Sequence, residues 1–234
     1  MKILVIPDVH LKAWMFEAAE RLLREGIADR AVCMMDIADD WDHQFDLDLY
    51  RSAYDAAIRF AKTFSDTLWT YGNHDISYVY EEPESGYSGM AASLVRQKLK
   101  ELRQALPDES QLAFAHRVDK VLFVHGGLTE RFAEDYVPWA ADLDTVVSAI
   151  NGMSSTELWQ DTSPLWHRPQ YSYMRTYALG GVIQVVGHTP VTKIERVGNV
   201  ISCDVFSTFR NGRPIGTQEF LLIDTETGEF CGVK

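Results

Sequence analysis

The chain has 234 residues, 46% hydrophobic and 12% aromatic, enough to bury a substantial core in one large domain or two small ones. Its net charge of −12 excludes bulk electrostatic attraction to nucleic acid or to an anionic membrane. A small anionic substrate is not excluded, because bound divalent metals reverse the local sign. Cys33, Cys203 and Cys231 are odd in number and form no C-x-x-C pair, so they read as unpaired thiols in a reducing compartment. The apolar stretch at the start is too short for a signal segment and no run approaches a membrane span, so a cytoplasmic protein without membrane contact is expected.

In chain order, "KILVIPDVH" (2–10) reads as a strand that ends in a loop, and "AWMFEAAERLLREG" (13–26) as a helix stopped by Gly26. "AVCMMD" (31–36) is a second strand. The segment 45–64 is a second helix, with Leu47, Tyr50, Tyr54 and Ile58 near helical spacing. "TLWTYGNHD" (67–75) is a third strand, and 90–106 a third helix with Val95, Leu99, Leu102 and Leu106 on one stripe. This β-α-β-α-β order implies parallel strands joined by right-handed crossovers. The second half offers strands at 120–127, 182–190, 199–209 and 219–230, the last split by the turn "DTETGE", with helical segments over 129–160. With no repeat, low-complexity tract or linker, one α/β domain over 1–234 is the simplest account.

Five apolar runs end in polar residues of one kind: Asp8 and His10; Asp36 and Asp39; Asn73, His74 and Asp75; His125; His188. In open α/β sheets, sites form at the carboxyl ends of strands. A lone histidine reads as a hydrogen-bonded loop residue. Four of the seven histidines at strand ends, each with Asp, Asn or Gly companions, point to a site. The stretch "AVCMMDIADDWDHQ" (31–44) crowds Asp36, Asp39, Asp40 and Asp42 together, which a solvated loop tolerates and a cation would require. Asp and His are donors suited to Mn, Fe or Zn, not to calcium alone. Asp8 and His10, two apart, can face one side of an extended segment. A carboxylate such as Asp36 can bridge two ions ~3.5–4 Å apart.

"DVH" (8–10), "DIAD" (36–39), "GNHD" (72–75), "HGG" (125–127) and "GHTP" (187–190) together resemble the calcineurin-like metallophosphoesterase superfamily, whose pattern is D-x-H, G-D-x-x-D, G-N-H-D/E, H and G-H. "HGGL" and "GHTP" resemble most the Ser/Thr-phosphatase branch and the diadenosine tetraphosphatases. The resemblance implies an α/β fold, a two-sheet sandwich flanked by helices. It implies two divalent ions, manganese first, with iron or zinc as alternatives: Asp8, His10 and Asp36 would hold one, and Asp36, Asn73, His125 and His188 the other. A metal-bridging hydroxide would attack phosphorus, His74 would protonate the leaving oxygen, and Asp39 would orient His74. Implied substrates are a phosphorylated small molecule, a nucleotide or a phosphoprotein. The alternatives are a dinucleoside polyphosphate hydrolase or phosphodiesterase of the same fold, and a catalytically silent metal-binding interaction protein. An intact His74 favours the enzyme.

Three departures stand out. The motif's leading Gly is Met35. Pro190 replaces the second His of G-H-x-H, leaving the first metal fewer protein ligands. Where the phosphatase branch carries its phosphate-gripping Arg, this chain has Asp40, for which the family pattern provides no neutralising partner. "SPLWHRP" (163–169) resembles a segment that brings in another phosphate-binding Arg, so Arg168, then Arg175, are the candidate substrate ligands. His116 reads as a turn or exposed-strand residue. Trp41, Tyr78, Tyr80 and Tyr87 could line a groove for a base or aromatic group but read more readily as core or rim packing, and Asp204 reads as lying near the site.

Overall fold

The alternation of apolar side chains along the first strand already assigns them to two different layers. The computed structural model describes residues 1–234. Its elements are, in order, β1 (Lys2–Ile6), α1 (Trp14–Arg24), β2 (Arg30–Cys33), α2 (Leu47–Thr63), β3 (Leu68–Thr70), α3 (Asn73–Tyr80), α4 (Ala92–Ala105), β4 (Leu112–Ala113), β5 (Ala115–Val118) and β6 (Val121–Val124). Then follow α5 (Glu130–Tyr136), α6 (Leu143–Asn151), α7 (Ser155–Leu158), β7 (Ile183–Val186), β8 (Glu195–Val197), β9 (Val200–Ser202), β10 (Phe220–Asp224) and β11 (Phe230–Val233).

One sheet runs β11-β10-β1-β2-β3-β4 and the other β5-β6-β7-β9-β8. β1 to β4 are mutually parallel, as the β-α-β-α-β order requires; β10 adds antiparallel to β1, and β11 antiparallel to β10. In the second sheet β6, β7 and β9 are parallel, with antiparallel strands at both edges. Ile3 and Val5 of β1 point into the space between the sheets, against Phe123, Val185 and Ile201. Leu4 and Ile6 point the other way and pack with α1, α2 and α4 around Trp69. Leu122 and Val124 of β6 face α5 and α6. The result is a two-sheet sandwich with a helical layer on each outer face. Asp46 starts α2 by accepting the Leu49 N–H at 3.1 Å. No helix is long and apolar enough to cross a membrane.

The structure differs from the sequence expectation in four places. The third strand stops at Thr70, and Asn73–Tyr80 is a helix, so the G-N-H-D motif is a helix start. The strand expected over 199–209 ends at Ser202, because the Asp204 carboxylate accepts the N–H and hydroxyl of Ser207 and folds the chain into a turn. β4, β5 and β8 are edge strands of two, four and three residues that the sequence reading did not include among its strands. His116 is buried: its Nε2 lies 3.0 Å from the Trp69 carbonyl, tying β5 to β3 across the two sheets. Burial pushes its pKa down to about 4, so the ring is neutral at physiological pH.

Candidate metal centre and active site

The loops leaving β1, β2, β3, β6 and β7 converge at one end of the sandwich. Ligand atoms of Asp8, His10 and Asp36 lie within 4.8 Å of one another, and so do those of Asp36, His125 and His188. Asp36 belongs to both groups. The loops interlock through backbone bonds from His10 to Asp36 (2.7 Å) and from Leu11 to Ile37 (2.9 Å). Asp75, the last residue of G-N-H-D, anchors the second loop from below by accepting the N–H groups of Ile37 (3.1 Å) and Ala38 (3.3 Å) and the Tyr54 hydroxyl (2.5 Å). Its role is structural and was not assigned from sequence.

The backbone is strained here. His10, Met35, Asp36, Asp39 and His188 all have positive φ, between 41° and 63°. For residues with a Cβ this conformation costs about 1–2 kcal/mol each, and such strain concentrates at functional sites. Met35, at φ +55°, bears this strain where the motif has glycine. Two glycines serve close approach instead. A Cβ on Gly72 would lie 1.9 Å from Asp36 Oδ1, and one on Gly187 2.0 Å from Asp8 Oδ1. In each case the amide just beyond grips the same carboxylate: His74 N–H to Asp36 Oδ1 at 2.9 Å, and His188 N–H to Asp8 Oδ2 at 2.7 Å.

These residues fit metal ions. His125 places Nδ1 3.1 Å from the Met34 carbonyl, which assigns the proton of a neutral ring to that nitrogen. Its Nε2 then aims a lone pair at Asn73 Oδ1 (3.0 Å) and Asp36 Oδ2 (3.1 Å). Three lone-pair donors converging this way repel unless a cation or proton lies among them. Asp8 Oδ1 and His188 Nε2 are buried with no hydrogen-bond partner, and buried polar atoms are rarely left so. His10 Nδ1 sits 2.9 Å from the Asp39 carbonyl, leaving Nε2 for the cluster. Burial pushes Asp8 up, reinforced by the Asp204 charge. Burial also pushes the His10 and His188 rings down, keeping both neutral and able to ligate. Against its burial, the charges of Asp36 and Asp8 raise His125 to about 9, which shows how strongly these carboxylates draw positive charge to this point.

His74 stands beside this cluster and belongs to neither ligand group. Its Nδ1 is 3.1 Å from Asp39 Oδ2 and 3.8 Å from Glu84 Oε1. Burial works against the charged ring, but Asp36, the Asp39 hydrogen bond and Glu84 raise it to about 10. Glu84 also accepts from Asn73 Nδ2 at 2.7 Å, turning the amide oxygen toward His125. Nothing local in "EEPESG" signals this, and sequence reasoning missed it.

The sequence profile of the calcineurin-like phosphoesterase family matches residues 1–211. The chain belongs to that family. It is a metal-dependent phosphoester hydrolase. Among solved structures, the cold-active protein-tyrosine phosphatase of a psychrophilic Shewanella species covers all of this chain and 80% of its own, at 18% identity and a TM-score of 0.57. A second structure of a cold-active protein-tyrosine phosphatase covers 99% and 78%, at 17% identity and 0.57. A novel archaeal phosphodiesterase covers 100% and 99%, at 16% identity and 0.46. At these identities the likeness is one of fold. No curated protein matches the chain closely in sequence.

The calcineurin-like phosphoesterase site opens into a cavity of about 500 Å³. Arg168 lines it, with Nη1 donating to the His188 carbonyl at 2.7 Å and to Thr189 Oγ1 at 3.3 Å. Arg175 does not line it: the chain turns away after Pro169–Tyr171, and the Arg175 side chain is exposed outside the cavity. Asp40 lines the cavity but is not alone, as the family pattern suggested. Lys12 pairs with its Oδ2 at 3.0 Å, both side chains being at most 16% exposed. Arg210, which sequence reasoning did not single out, lines the cavity and pairs with Asp42 at 2.9 Å. Asp204 is buried on the cavity wall, as its sequence position suggested. Tyr78 is a buried hydroxyl donor to Asp39, and Tyr87 stacks on it with ring centroids 4.3 Å apart.

Proposed function

We propose that this phosphoesterase, acting as one domain, hydrolyses a phosphate ester with two divalent ions, manganese first. Asp8, His10 and Asp36 would hold one ion, and Asp36, Asn73, His125 and His188 the other. Bound, the ions lower the pKa of water to supply the nucleophile and screen the charge of the phosphoryl group. His74 donates its proton to the leaving oxygen, and Asp39 keeps its ring oriented. Arg168 donates to the phosphoryl oxygens; its guanidinium already lies against the His188 loop. The observation that carries this reading is the pair of ligand groups sharing Asp36, with His74 beside them and held by Asp39 at 3.1 Å. Its three free thiols fit a cytoplasmic setting.

The test is a screen of purified protein, stripped with chelator and reloaded with Mn²⁺, against mono- and diester aryl phosphates, dinucleotides and a phosphopeptide. Activity should vanish on stripping and return on reloading with at least one substrate. Full activity in protein shown metal-free by elemental analysis would exclude the reading.

A further inference from the structure

Apart from its histidines, the cavity has a single aromatic lining residue, Trp41. Its surroundings are unlike those of an ordinary surface tryptophan. Its backbone N–H donates to Asp40 Oδ1 at 2.8 Å, and its indole Nε1 donates to the Thr208 carbonyl at 2.9 Å. Both polar groups are satisfied by protein, yet the residue stays 52% exposed. The ring is fixed in orientation and remains open to the cavity. A ligand stacking on it would not have to bear the entropy of ordering it.

The location connects this ring to the reaction. Trp41 lies two residues beyond Asp39, whose carboxylate holds His74, so the two Cα atoms are at most ~7.6 Å apart. On the reading above His74 would face the leaving oxygen, and His74 and Trp41 line the same cavity, into which the leaving group would extend. The charges around the ring are paired. Lys12 neutralises Asp40, and Arg210 neutralises Asp42 with contacts of 2.9 and 3.3 Å that also tie the Trp41 loop to the loop of Thr208. A neutral wall with an open indole, and with Ile215 as the other large apolar lining residue, suits a neutral flat ring. It does not suit a further string of phosphates.

We propose that Trp41 is the platform of a leaving-group subsite that takes a flat aromatic ring, a nucleobase or an aryl group, carried by the phosphate ester. The inference rests on the phosphoester reading above for the position of the phosphate.

The test uses substrate pairs that differ in the ring. AMP and ribose 5-phosphate share the same leaving oxygen, and only AMP carries a base. Phosphotyrosine and phosphoserine, as free amino acids, provide the aryl pair. For wild type, Trp41→Ala and Trp41→Phe in the Mn²⁺-loaded full chain, kcat/KM is measured for each member, with metal content and Tm as folding checks. Trp41→Ala should lower the ring-bearing member's advantage ~5- to 100-fold in one pair, the range for loss of a base or ring stacked on an aromatic side chain. Trp41→Phe should keep most of that advantage. The pair that responds identifies the source of the ring. An advantage unchanged in Trp41→Ala for both pairs, whether neither member loses rate or both lose it equally, overturns the platform.

If no compound is turned over, these four monoesters are not substrates, and the phosphoester reading is decided by the wider screen above. Calorimetric titration of the same four compounds into the Mn²⁺-loaded wild type and Trp41→Ala then decides the platform separately. Tighter binding of a ring-bearing member that Trp41→Ala abolishes supports it; equal binding within both pairs overturns it.

Discussion

Asp39 holds His74 through one carboxylate oxygen, at 3.1 Å from Nδ1, while its other oxygen accepts the hydroxyls of Tyr50 (2.6 Å) and Tyr78 (2.5 Å). Two hydroxyl donors on one oxygen fix the plane of the Asp39 carboxylate, so the His74 ring cannot swing toward the metal ligands. His74→Asn should therefore leave metal content near wild type and lower turnover ~10²–10⁴-fold, the range for loss of a general acid. The loss should be smaller for nitrophenyl phosphate, whose leaving group needs no proton. Metal analysis with kinetics on both substrates checks this, and a variant that loses metal would make His74 a ligand instead.

Glu84 fixes the Asn73 amide by accepting from Nδ2 at 2.7 Å. Without it the amide can rotate and present its NH₂ to the cation. Glu84→Ala should weaken one of the two Mn²⁺ affinities about 10–100-fold, as loss of a partner behind a ligand usually does. Glu84→Gln keeps an acceptor oxygen and should retain most of the affinity. A titration of Mn²⁺ into stripped protein reads this directly. Equal affinities in wild type and Glu84→Ala would show that Asn73 is held without Glu84.

The contrast between Asp36 and Glu84 shows what the sequence made legible. Asp8, His10, Asp36, Asn73, His125 and His188 each follow an apolar run, so strand and proposed ligand are neighbours in the chain and a local pattern picks them out. The parallel sheet followed from alternating strands and helices for the same reason. Glu84, Tyr50 and Lys12 act on residues 11, 11 and 28 positions away. Those meetings depend on how α2, α3 and the loops pack, which no local period encodes. Arg168 and Arg175 looked alike because only the turn at Pro169–Tyr171 separates them. α3 was hidden because Asn73–Tyr80 carries β-formers such as Ile76, Tyr78 and Val79 directly after a strand, and packing overrides that propensity. His116 was misread as exposed because its partner, the Trp69 carbonyl, belongs to a strand 47 residues away.

The Lys12–Asp40 pair replaces an arginine clamp with a neutral couple. Lys12→Ala should leave the Asp40 carboxylate unpaired on the cavity wall and raise KM for a phosphate dianion roughly 3- to 10-fold through partly screened repulsion. Asp40→Asn keeps an oxygen for the Trp41 N–H and frees the ammonium of Lys12, so it should lower KM. The double variant should fall between the two. Glycerol phosphate is the appropriate substrate, because it carries no ring to stack on Trp41. Both single-variant effects should shrink as salt rises. Matching KM values in all four proteins would show that the pair lies outside the field of the bound phosphate.

His116 gives the fold a pH dependence separate from the metal centre. Burial holds its folded-state pKa at about 4, below the ordinary value of 6.5. Between these values the unfolded chain binds a proton that the folded chain does not, so stability from this group is complete above pH 6.5 and is lost as pH falls through about 4. The full loss is on the order of 3 kcal/mol, with about 2 kcal/mol of it gone by pH 5. His116→Gln removes the titration. Above pH 7 the variant should be less stable than wild type by about 1 kcal/mol, for the altered bond to the Trp69 carbonyl. At pH 5 the gap should close or reverse, because only the wild type suffers the His116 proton. Urea unfolding of metal-free wild type and variant at pH 8 and pH 5 isolates the effect, since both carry the same other titrating groups. A gap of equal size at both pH values would mean that His116 is protonated in the folded state or reached by water.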